Sequence, residues 1–284
     1  MAEIHMFRHH AMATYFEVRV VHEEPGYAAQ AAQAAFGLVD GIEAQLSRFR
    51  TNSEIARIAS LAPGETMRLS ETVYACLEIA QRMEQATGSA FSVTSAAMRT
   101  QSVLPRWTLL QQEFSIRCDR GVLQMDLGAI GKGFALDRVA ELLKMWECDS
   151  FLVVAGGSSI VAGDPPPGAA GWTCGVGEGD AKRELRLANA ALSGSGLAVK
   201  GSHILDPRTG SAASRQRRAW ALADSGAESD ALSTACMVLS DRDLEGVLER
   251  EPSWLVILEG SDQLQVLGRR TVPAGIACSQ RRRD

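Results

Sequence analysis

Asp230 and Thr234, in the run ESDALSTA at 228–235, are spaced so that on a helix they lie one turn apart on the same face. A carboxylate and a hydroxyl stacked in this way are hard oxygen donors of the kind Mg²⁺ takes. The same carboxylate could instead cap or charge the start of its own helix. A second segment, DLGAIGKGFALD at 126–137, joins a strand to a helix through Gly128, Gly131 and Gly133. Such a turn leaves amide N–H groups free at the helix start, where they and the helix dipole suit a phosphate. Lys132 adds a positive charge, and the small residues let a ligand approach the main chain. The spacing matches neither GxxxxGK[ST] nor GxGxxG, and a plain tight strand–helix joint would look the same.

A third segment, SHILDPRTG at 202–210, carries His203, whose ordinary pKa near neutrality suits a general base, although a lone histidine also serves structure. Arg208 could clamp an anion or brace the Asp206-Pro207 turn. A fourth, LSRFRTNSEI at 46–55, sets Phe49 between two arginines, ahead of the helix-start sequence Asn52-Ser53-Glu54. A flavin or base ring could stack on Phe49, or the phenyl could pack on the core as a loop aromatic. His5, His9 and His10 include an i, i+4 pair that could hold a transition metal. No acidic or thiol ligand stands near them in the chain, and the alternative is a mobile terminal segment.

The elements that must position these groups are legible in outline. Residues 14–22 alternate apolar and polar as a half-buried strand does. Residues 27–46 have helical spacing, set off by Pro25-Gly26. A helix is predicted over 71–87, with Ser70 as its N-cap and Gly88 as its stop. Residues 122–127 read as a strand entering the glycine-rich turn, followed by a helix to about Trp146. Phe151–Val154 is a short apolar strand, and several strands are expected between 172 and 223. Helices fit 229–239 and 241–250, and a strand pair fits 254–258 and 264–267. Helices and strands intermix without a strict βαβ rhythm. The expected class is therefore α+β, with mixed or antiparallel sheets and packed helices in two intimately associated subdomains.

The chain has 284 residues, 46% of them hydrophobic and 22% charged, enough apolar matter to bury a core and exclude a disordered protein. One domain is expected, with a core over about 12–268 and a basic tail at 279–284. The formal net charge of −5 argues against a nucleic-acid binder. No stretch is apolar enough for membrane insertion. The six cysteines form no CxxC pair, as in a reducing compartment. With neither a secretory pattern nor a lipid-attachment cysteine near the start, the expected location is cytoplasmic.

In order along the chain, these segments resemble the ApbE family of Mg²⁺-dependent FAD:protein FMN transferases. Met12-Ala13-Thr14 stands where the family has Met-Gly-Thr. LSRFRTNSEI and FSVTSAAM (91–98) match its aromatic-containing and Phe-Asp-x-Thr segments. DLGAIGKGFALD is close to Asp-Leu-Gly-x-x-Ala-Lys-Gly-x-x-x-Asp. AGGSSI and SGSGLAV resemble its Gly-Gly-Asp and Thr-Ser-Gly segments, SHILDPRTG is nearly the full His-Ile-x-Asp-Pro-x-Thr-Gly block, and SDALSTA matches Ala-Asp-Ala-x-x-Thr-Ala. The chain departs from the pattern at Ala13, Ala59, Ala96, Gly131 and Ser158.

The resemblance implies Mg²⁺ held by Asp230, Thr234 and the Gly131 carbonyl. It implies His203 as general base, with Asp230 and His203 as the catalytic pair. FAD, the substrate, is expected against Met12, Phe49, Asp126, Lys132, Ser195, Gly196 and His203. The implied activity moves FMN to a Thr or Ser hydroxyl of an acceptor flavoprotein and releases AMP. Two rival readings are an FAD pyrophosphatase giving FMN and AMP, and a flavin-binding protein without catalysis.

Overall fold

A computed structural model describes residues 2–94, 105–177, 182–196, 205–211, 218–259, 264–271 and 273–275. The chain opens with a hairpin of β1 (Glu3–Ala11) and β2 (Thr14–His22). Its two-residue turn, Met12-Ala13, has φ of 50° and 56°, the left-handed pair that matches the twist of a tight hairpin. This hairpin forms one end of an eight-stranded sheet. Its other strands are β6 (Phe151–Ala155), β7 (Ser159–Ala162), β10 (Ala190–Gly196), β11 (Arg218–Ala223), β12 (Leu255–Glu259) and β13 (Leu264–Gly268). The spatial order is β1-β2-β6-β7-β10-β11-β12-β13, and every neighbouring pair is antiparallel.

Both faces of the sheet are covered, which explains why β6 reads as an unbroken apolar run. Phe151, Val153 and Ala155 point to the helical side, while Leu152 joins a second cluster with Trp172, Val176, Leu185 and Leu187. That second cover is a ribbon of β8 (Trp172–Val176) and β9 (Arg183–Leu187). The helical cover includes α1 (Pro25–Leu46), α3 (Glu71–Ala86), α4 (Gly131–Met145) and α5 (Gly226–Ala235). Short α2 (Glu54–Ile58) follows α1, and α6 (Asp241–Arg250) follows α5. A small sheet, order β3-β5-β4, is made of β3 (Thr66–Arg68), β4 (Arg106–Leu110) and β5 (Ser115–Arg120). The architecture is thus α+β with antiparallel sheets. Among the described residues, no helix is long and apolar enough to cross a membrane.

Three expectations need correction. Residues 122–127 form no strand. They make one isolated bridge, Thr94 to Met125, while Leu123, Met125 and Leu127 are buried in alternation. Period-two burial imitates a strand here because an extended segment lies on the core without ladder partners. The helix expected at 229–239 runs instead from Gly226 to Ala235, since the Ser225 side chain accepts the Glu228 N–H and starts it earlier. The N-terminal histidines sit in β1. His5 bonds the His22 carbonyl and His9 bonds Asp40, its ring stacked on Phe36. No group of three His, Cys, Asp or Glu suited to a metal occurs among the described residues.

Helix α5 is buried on nearly all sides, and its small residues (Gly226, Ala227, Ser229, Ala231, Ser233, Ala235) make that possible. It crosses α4 at two glycines. A Cβ on Gly133 would collide with the Gly226 carbonyl oxygen, and one on Gly226 would come within 2.6 Å of the Gly133 oxygen. Both obstacles are backbone, so neither can swing aside. Gly133→Ala should therefore lower stability by about 3 kcal/mol, the upper range for overpacking, read as a lower urea midpoint. An unchanged midpoint would show that the helices can part without cost.

Candidate active site

The α4–α5 crossing carries two carboxylates that each serve the other helix. Asp137, on α4, accepts the Gly226 and Ala227 N–H groups at 2.6 and 2.9 Å at the start of α5. Asp230, on α5, accepts the Gly133 N–H at 3.2 Å in the first turn of α4, which has no side-chain cap of its own. Each aspartate follows its glycine by four residues, GFALD at 133–137 and GAESD at 226–230. Free amides and the positive end of a helix dipole favour a carboxylate at each place. The capping alternative for Asp230 is thus realised on a different helix from its own. Ser225 caps α5.

Asp230 is 3% exposed and its carboxylate takes further donors. Lys132 Nζ lies 3.2 and 3.1 Å from its two oxygens, and Ser159 Oγ donates to it at 3.1 Å. The lysine is the buried charge's counter-ion, and removing either partner would leave the other uncompensated. One turn on, Thr234 Oγ1 donates to the Asp230 carbonyl at 3.2 Å and lies 3.4 Å from Ser195 Oγ. Ser195 also meets Ser233 Oγ at 2.9 Å. Gly131 begins α4 beside this cluster, its N–H bonded to Leu127 O at 2.7 Å. Gly131, Lys132, Ser195, Asp230 and Thr234 therefore belong to one locale, where the end of β10 meets α4 and α5.

A hard cation fits these residues. One carboxylate and one hydroxyl are oxygen donors, and among the described residues no thiol or imidazole is bonded to them. Lys132 already sets a positive charge against both carboxylate oxygens. Mg²⁺ is commonly held by one or two carboxylates, with substrate phosphates and water completing the shell.

The other expected site residues lie at the edges. Phe49 is 81% exposed, which excludes the core-packing alternative. The Arg48 guanidinium sits 4.5 Å from its ring centroid and pairs with Asp126 at 3.3 Å. The other Asp126 oxygen accepts the Gly128 N–H at 2.9 Å. Met12, partly buried on the core, and Ala13 form the hairpin turn. Ala13 adopts a φ that glycine, the resembled family's residue there, takes without strain. Beside that turn, Thr14 packs on Gly156, where a Cβ would meet Thr14 Oγ1 at 2.6 Å. Gly196 ends β10, against Arg218. Arg208 braces its turn with paired bonds to Asp206 at 3.0 and 2.9 Å. His203 lies outside the described residues, as do residues 95–98 of FSVTSAAM and the tail at 279–284.

Sequence reasoning missed Ser159, the bracing role of Asp137 and the linking role of Arg48. The repeated Gly-x-x-x-Asp spacing signals Asp137. Ser159 comes from a distant strand and leaves no local signal.

A sequence model of the ApbE family matches residues 12–258, so the chain belongs to that family. The FAD:protein FMN transferase of Treponema pallidum (strain Nichols) is 28% identical over 278 residues, covering 80% of this chain and 76% of that protein. A protein of the same name from Klebsiella pneumoniae (strain 342) is 23% identical over 214 residues, or 63% of this chain and 66% of that one. The solved structure of the flavin transferase ApbE from Vibrio cholerae superposes with a TM-score of 0.80 at 21% identity, covering 94% of this chain and 97% of that one.

Burial pushes the Asp137 carboxyl from its ordinary 3.8 up to about 6, and the two α5 amides pull it back only in part. The folded chain therefore holds this proton more tightly than the unfolded chain. The Asp137 contribution to stability is full below about pH 4 and declines as pH rises through 6. Urea unfolding of the wild type and Asp137→Asn between pH 4 and 7 tests this. The stability gap between them should shift against the wild type by on the order of 2 kcal/mol as pH rises. A gap that does not move with pH contradicts the shift.

Proposed function

We propose that this chain transfers FMN from FAD to a Ser or Thr hydroxyl of an acceptor flavoprotein and releases AMP. The observation that carries this reading is the buried Asp230 carboxylate, held at the first turn of α4 with a cation against it and two hydroxyls one turn away. The family and the names of its relatives supply the reaction.

In the reaction the acceptor oxygen bonds to the flavin-side phosphorus. The bond from that phosphorus to the bridging oxygen breaks, and AMP departs with that oxygen. The acceptor proton passes to His203, the general base on this reading. Asp230, Thr234 and the Gly131 carbonyl would hold Mg²⁺, whose charge supports the diphosphate as negative charge moves to the leaving phosphate. Lys132 turns from its carboxylate toward that phosphate and shares the load. Phe49 stacks on the isoalloxazine ring. Asp126, Met12 and the short side chains at Ser195 and Gly196 border the cofactor and let it lie close to the main chain.

Incubating the protein with FAD, Mg²⁺ and a flavoprotein acceptor should add an FMN-sized mass to the acceptor. EDTA should abolish the gain. Asp230→Asn, which keeps the shape, should lower the transfer rate at least about 100-fold, as for loss of a principal electrostatic group. Transfer at the normal rate by a folded Asp230→Asn would overturn the metal assignment. AMP released at full rate with no acceptor present would point to the pyrophosphatase reading instead.

A further inference from the structure

We infer that Arg48 is a positioning residue that fixes the Phe49 ring as the platform for flavin, an inference that rests on the FAD reading above. A phenylalanine 81% exposed on a loop leaves a large apolar surface in water. This loop holds its ring out by built-in bonds. The Phe49 N–H donates to Ser47 Oγ at 3.3 Å, and Ser53 Oγ donates to the Ser47 carbonyl at 2.6 Å. Ser53 also accepts the Ala56 N–H, which ties the loop to α2.

Arg48 then covers one face of the ring with its guanidinium, 4.5 Å from the centroid. A cation in that position is attracted to the aromatic face. The arginine is itself anchored, since its Nε lies 3.3 Å from Asp126 Oδ2. The second Asp126 oxygen accepts the Gly128 N–H, in the turn that leads into α4 and Lys132. A single chain of contacts therefore runs from the ring through Arg48 and Asp126 to the turn that precedes the cation site. It keeps one face of Phe49 occupied and the other open, at a fixed orientation to the place where a diphosphate would lie. Arg48 thus acts on the flavin half of FAD through Phe49, without serving the chemistry at phosphorus.

Calorimetric titration with FAD and with ADP, which shares the diphosphate and adenosine but lacks the isoalloxazine, tests this on the full-length protein. Arg48→Ala should raise the FAD Kd by about three- to five-fold, the range of an exposed cation–π contact, and leave the ADP Kd unchanged. Bound flavin should also lose part of its fluorescence quenching. Arg48→Lys should recover part of the FAD affinity. Equal weakening of FAD and ADP would show a merely structural role and overturn the inference. So would FAD binding as tight as, or tighter than, wild type in Arg48→Ala, which would put the arginine on the flavin's own face. If the wild type binds ADP but gains nothing from the flavin, the FAD reading itself falls, and the platform with it.

Discussion

The structure turns on one exchange between two helices. Asp137 satisfies the amides that open α5, and Asp230 satisfies an amide that opens α4. The exchange is feasible because the two backbones touch at Gly133 and Gly226, where no side chain fits. With larger residues at the crossing, neither carboxylate would reach across. The contact that closes the core is thus also the one that holds the Asp230 carboxylate in place. A buried carboxylate is costly on its own, and here a lysine, an amide and a serine share its charge.

That sharing matters for chemistry. Asp230 accepts its bonds at 3.1 to 3.2 Å, and its lysine partner is a flexible, mobile charge rather than a rigid fork. In the proposed reaction Lys132 would leave the carboxylate for an incoming phosphate by moving its side chain alone. Helix α5 packs between α4 and the strands β10 and β11, which sets the Gly133 N–H and Ser159 Oγ against the carboxylate. On the proposed function, a packed carboxylate with a single-charge counter-ion suits a site that accepts a divalent cation along with a polyanionic substrate.

Much of this was legible in the chain. The hairpin strand 14–22, helix α1, the Ser70-capped α3 and the apolar β6 follow from periodicity and capping alone. The i, i+4 spacing of Asp230 and Thr234 correctly put them one turn apart, and Lys132 proved to be the aspartate's neighbour. What stayed hidden depended on distant parts of the chain. Nothing in 126–137 reveals that its helix would be capped from residue 230, or that Ser159 would arrive from β7. The segment 122–127 misled because buried alternation needs no hydrogen-bonded partner. His9 is held by Asp40 and Phe36 of α1, residues too distant in the chain for its local sequence to reveal.

The central assignment, a divalent cation on Asp230, is tested most directly by a crystal of the protein with FAD and Mn²⁺, examined for anomalous scattering. The expected result is a single strong peak within about 2.5 Å of an Asp230 carboxylate oxygen and close to Thr234 Oγ1, with Lys132 turned to the diphosphate. A peak elsewhere, with Asp230 still bonded to Lys132, Gly133 and Ser159 while FAD is bound, would contradict it.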